Sequence, residues 1–143
     1  MTNVPPPRLA ALLRDQAKGY YATEAAAELL IAHGTWLHRT DFLDACVVAI
    51  DAAGNDLGSP RHPAGTVTRA GIAWDDIPAF ADTAPCSGSE ARILRLVAEL
   101  AGTDTATPLG ELLSSLDGRN SALVLDAIAH TLNTQLWTGE PVQ

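Results

Sequence analysis

The sequence has 143 residues, 47% of them hydrophobic and 18% charged, the balance of a folded chain and not of a disordered one. Seventeen acidic side chains against nine basic ones leave a net charge of −8, which argues against bulk-charge binding to nucleic acid or anionic lipid. The longest uncharged apolar stretch, Ala45 to Ile50, falls far short of the roughly 20 residues of a membrane span.

Helical spacing dominates the chain in order. Pro5-Pro6-Pro7 reads as an extended lead-in, with residues 1–7 flexible. Arg8 to Lys18 then places Leu9, Leu12, Leu13, Gln16 and Ala17 on one stripe and ends at Gly19. A second helix is predicted from a Thr23 cap to His33, closed by Gly34 in the left-handed conformation. A third starts at Thr40-Asp41 and continues through Phe42 to Ile50. That run is apolar on nearly every face, and its period alone does not separate helix from strand. The helix is preferred there because a cap precedes it and Asp44 and Asp51 share a polar side.

Between Gly54 and Gly88, five glycines and four prolines point to irregular structure, relieved by a short extended piece from Thr66 to Trp74. Asp75-Asp76-Ile77-Pro78 then starts a helical turn through Phe80. Ser87-Gly88-Ser89-Glu90 matches a Ser-x-x-Glu capping box and opens a helix burying Ile93, Leu94, Val97, Leu100 and Ala101. Thr107-Pro108 opens Leu109 to Leu116, closed by Asp117-Gly118. A last helix begins near Asn120 and buries Leu125, Ile128, Ala129, Leu132 and Leu136.

The predicted fold class is therefore all-α: a bundle of about six helices over residues 8–138, with an irregular or short extended insertion between residues 54 and 88. Residues 139–143 form a frayed tail. Three segments resemble small actinobacterial proteins: Ala25-Ala-Ala-Glu-Leu-Leu-Ile-Ala-His-Gly-Thr-Trp-Leu-His, Pro85-Cys-Ser-Gly-Ser-Glu-Ala-Arg-Ile-Leu and Leu116-Asp-Gly-Arg-Asn-Ser-Ala-Leu-Val-Leu-Asp-Ala. The resemblance implies a bacterial cytoplasmic origin and brings no activity, cofactor or site residue with it.

Five candidate sites emerge from the residues. Thr23 to Arg39 has helix-turn-helix spacing, in which Thr35, His38 and Arg39 would face a DNA groove. Charge weighs against it, because residues 1–39, 40–88 and 89–143 carry +1, −5 and −4. Cys86, ahead of the Ser87 cap, is a candidate reactive thiol, since a helix N-terminus lowers a thiol's pKa. A base would have to come from His33, His38, His62 or His130. Metal ligation lacks a supporting motif, and no metal or cofactor is expected. The dispersed acids, Asp75 and Asp76 among them, serve solubility or dock a basic partner. Trp36, Trp74 and Trp137 are candidate interface residues for a protein partner or a second copy.

No motif with a chemical mechanism outweighs its packing role. The expected function is therefore that of a non-enzymatic cytoplasmic protein acting through protein–protein contacts, as an accessory or regulatory factor. A small DNA-binding regulator is the alternative and a Cys86-dependent enzyme the remote one. Neither nucleic acid nor membrane is the expected partner. Cys46 and Cys86 are read as reduced thiols.

Overall fold

The computed structural model describes residues 4–62, 66–114 and 116–133. Helix α1 (Pro6–Ala17) starts two residues before its expected place, with Pro6 and Pro7 in the first turn, where missing N–H groups cost nothing. Val4, read as part of a flexible lead, is buried against the core. Gly19, at φ +103°, turns the chain into α2 (Tyr21–His33), and its N–H donates to Glu24 Oε2 at 3.0 Å. Gly34 closes α2 at φ +83°, its N–H donating to the Leu30 carbonyl.

A 3₁₀ turn (Trp36–His38) leads into α3 (Thr40–Cys46), and there the all-α expectation fails. The run from Phe42 to Ile50 is not one helix: it changes at Cys46 into strand β1 (Val47–Asp51). Val47, Val48 and Ile50 are β-branched, which crowds a helix and suits a pleated surface. Partners stand on both sides of it. Strand β1 is the centre of a three-stranded antiparallel sheet, with β2 (Asp56–Gly58) at one edge and β3 (Val67–Ile72) at the other.

Val47 pairs with Ile72, and Ala49 lies opposite Ala70 on one side and Gly58 on the other. The β1–β2 hairpin is held by Asp51 Oδ1, which accepts the Ala53 and Asn55 N–H groups at 2.9 Å each. Residues 54–88 therefore supply two strands of the sheet. The extended piece expected from Thr66 to Trp74 contains β3, but it pairs into a sheet: the architecture is helices with a small antiparallel sheet, not an all-α bundle.

Beyond β3 a 3₁₀ turn (Trp74–Asp76) runs straight into α4 (Ile77–Thr83). Helix α5 (Gly88–Leu100) opens on a complete capping box. Ser87 Oγ accepts the Glu90 N–H at 3.1 Å, and Glu90 Oε1 accepts the Ser87 N–H at 2.9 Å. Helix α6 (Leu109–Leu113) stops short of Leu116. Asp117-Gly118, read as its end, begins α7 (Gly118–Thr131), with Asp117 Oδ1 capping the Asn120 N–H at 2.7 Å.

Helices α2 and α7 pack antiparallel. Arg119 Nη2 donates to the carbonyls of Ala32 and His33 at one end, and His130 Nε2 lies 2.9 Å from Glu24 Oε1 at the other. The buried residues of α7 are Asn120, Val124, Ala127 and Ala129, with Ile128 packed partly on the core; of the residues expected inside, Leu125 and Leu132 point outward at 54% and 68% exposure. Leu136 and the residues read as a frayed tail lie outside the described residues.

The core gathers around Trp36, Phe42 and Phe80, whose ring centroids stand 5.6 to 5.8 Å apart. It continues through Leu29, Leu30, Ile93, Leu94 and Val97. Helix α1 lies against β3, with Gln16 over Gly71: a Cβ at Gly71 would stand in ordinary contact, 3.4 Å from Gln16 Cγ. Among the described residues no helix is long and apolar enough to cross a membrane.

Candidate interaction site

The helix-turn-helix segment separates into structural roles. Trp36 is fully buried, and its 3₁₀ turn spans only three residues, so Thr35, His38 and Arg39 do not share a helix that could enter a groove. Arg39 is instead a tie between elements. Its guanidinium carbon lies 4.6 Å from the centroid of Trp36. Nε and Nη2 donate to the two oxygens of Asp41 at 3.0 and 2.5 Å, and Nη1 donates to the Pro85 carbonyl at 2.9 Å. The Arg39 fork holds the Asp41 carboxyl below its ordinary pKa.

Cys86 is partly buried beside that tie. Desolvation and the neighbouring Glu90 carboxylate push its thiol upward, with Arg39 and Arg95 acting the other way. Glu90, the second half of the capping box, thus supplies negative charge where the helix N-terminus alone would supply positive. Cys46 is fully buried and pushed up to about 12 by desolvation.

Of the histidines, His33 is buried at the end of α2 with Nδ1 lacking a partner, and His62 Nε2 contacts the Leu57 carbonyl at 3.0 Å. His130 sits edge-on to Tyr21 and beside Glu24. The geometry does not bring any of them to Cys86 by hydrogen bond.

Trp74 is placed differently from Trp36. It packs partly on the core and lines an open groove of about 530 Å³. Its other walls are Ile72, Ala73, Asp75 and Asp76 from the end of β3 and the following turn, and Ala101, Gly102 and Thr103 from the end of α5. Thr103 Oγ1 donates to Asp75 Oδ1 at 2.8 Å, joining the two walls and orienting that carboxylate. The groove exists because the chain makes two tight exits side by side. The Ala73 N–H donates to the Cys46 carbonyl at 2.7 Å as β3 ends, and Gly102, at φ +102°, turns the chain off α5. Among the described residues, no basic side chain lines it.

Two other recesses contain cations: one between α1, α2 and α7 is lined by Arg14 and Lys18, and another beside the first turns of α5 by Arg92 and Arg95. A smaller recess between α5 and α6, lined by Glu99 and Thr107 among leucines, has no cation among its described residues but no exposed indole either. Trp137 lies outside the described residues. Proximity of Trp74 to Asp75 and Asp76 was legible as adjacency; the wall from Ala101 to Thr103 carried no sequence signal. No protein-family model, curated protein or solved structure matches the chain.

Proposed function

We propose that this chain works by contact with another protein, as an accessory or regulatory factor, and that the Trp74 groove is the contact site. The observation that carries the reading is the groove's composition: a partly buried indole and two carboxylates in an open recess of about 530 Å³, with no cation among its described lining residues. An aromatic side chain anchored on the core and open on one side is the kind of residue that dominates binding energy at interfaces. The free thiols Cys46 and Cys86 suit a reducing compartment, and the cytoplasm is the location proposed.

The test is affinity capture with the tagged full chain and two groove variants. Trp74→Ala removes the anchor. Thr103→Arg leaves Trp74 in place and sets a guanidinium into the groove beside Asp75. Leu125→Glu, on the outward face of α7, is the control. Proteins retained by the wild type and by Leu125→Glu, and lost from both groove variants with thermal melts within a few degrees of wild type, are the expected result. An unchanged set in all four, or no set at all, contradicts the reading.

A further inference from the structure

We infer that the Trp74 groove takes an arginine side chain of the partner protein; the inference rests on the contact reading above and names the chemistry of the partner. The chain contains a complete example of the arrangement. Arg39 lies 4.6 Å over Trp36 while its fork engages Asp41. The groove presents two of those three parts, an indole and carboxylates, on a surface open to another molecule.

Electrostatics select the third part. An indole face attracts a cation, and a carboxylate beside it adds charge-assisted hydrogen bonds. Thr103 Oγ1 occupies Asp75 Oδ1 and leaves Oδ2 available, while the Asp76 carboxylate makes no side-chain hydrogen bond among the described residues. Arginine is selected over lysine because its planar guanidinium can stack on the indole and still donate in-plane to a carboxylate; a compact ammonium does one or the other. The remaining walls, Ile72, Ala73, Ala101 and Gly102, are small or apolar and suit the aliphatic stem. A second copy of this chain would bring a net charge of −8 to a surface already carrying two aspartates.

The experiment titrates the ¹⁵N-labelled full chain with three peptides, Ac-Ala-Ser-Xaa-Ser-Ala-NH₂, where Xaa is arginine, lysine or citrulline. The arginine peptide is expected to shift the Trp74 indole N–H and the amides of residues 72–76 and 101–103. The lysine peptide should bind more weakly and the uncharged citrulline peptide should leave these signals in place. The double variant Asp75→Asn, Asp76→Asn, which keeps the shape of the groove, should weaken arginine binding by about tenfold or more. Raising salt from about 50 to about 300 mM should weaken it further.

Equal binding of the citrulline peptide would overturn the inference, as would wild-type affinity in the double variant or shifts confined to Tyr20, Tyr21 and α7. So would the same shifts produced by about 5 mM Ca²⁺ alone, or by raising the protein concentration without peptide. If selective capture by the groove persists while the arginine peptide fails, the cation is wrong and the contact stands. If selective capture fails as well, both fall.

Discussion

At the scale of single residues, buried titratable groups give the sharpest expectations. His33 ends α2 inside the packing between the first turns of α5 and α7. Desolvation, with Arg119 adding to it, holds its imidazole below the ordinary value, although Glu90 and Asp117 pull the other way. The unfolded chain therefore binds the proton more readily than the folded one. The stability this group contributes is complete above the unfolded pKa of roughly 6.5 and is lost as pH falls through that value toward the folded one. Melting temperature should drop between pH 7 and pH 5.5, and His33→Gln should reduce that drop; an equal drop in both proteins would contradict the assignment.

Cys86 gives a second expectation. With its thiol pushed upward by burial and Glu90, its alkylation by iodoacetamide should show an apparent pKa above the free-cysteine value of about 8.5. Cys46 should stay unmodified until the chain unfolds. An apparent pKa well below that of free cysteine would restore the reactive-thiol reading of Cys86.

At the scale of elements, caps are separable contributions. Ser87→Ala removes one half of the reciprocal pair at the start of α5 and should cost about 1 kcal/mol, read as a fall of roughly 4 °C in Tm. Arg119→Ala removes donors from the carbonyls of Ala32 and His33, and with them one end of the α2–α7 packing. It should cost a similar amount, about 1 kcal/mol, measurable by urea denaturation.

The same elements show what was legible in advance. The capping box at Ser87, the Gly34 cap and the stripe of Leu9, Leu12 and Leu13 rest on local chemistry, and the structure has them where their residues stand. The sheet did not announce itself. Val47 to Ile50 is a strand because β3 returns from about twenty residues away to pair with it, and no window of the sequence includes both partners. The face of α7 was legible in part, for a related reason. Ala129 is buried and Ile128 packs on the core as expected, but close approach to α2 uses Val124 and the smaller Ala127, and turns Leu125 and Leu132 out.

At the scale of the whole molecule, one aromatic cluster ties α3, α4 and the turn after α2 into the shared core, and losing it should be felt beyond those elements. Phe42 is fully buried between Trp36 and Phe80, so Phe42→Ala should destabilise the fold by about 3–5 kcal/mol in chemical denaturation. That core also anchors Trp74 at the lip of its groove, where the end of β3 meets the end of α5. Trp74 and its two aspartates are consecutive in sequence, whereas the opposite wall stands nearly thirty residues on. The groove is thus a product of topology, and only its near wall could be read from the chain.

The competing surface is apolar: Tyr20 and Leu132 are 73% and 68% exposed, and Leu125 faces outward on the same helix as Leu132. Placing the photoreactive residue p-benzoylphenylalanine at position 104, exposed and next in sequence to the groove wall at Thr103, or at position 125 and irradiating cells of the source organism tests the two directly with Trp74 in place. Covalent adducts to another protein from position 104, and none from position 125, are predicted; adducts from position 125 with none from position 104 would contradict the account.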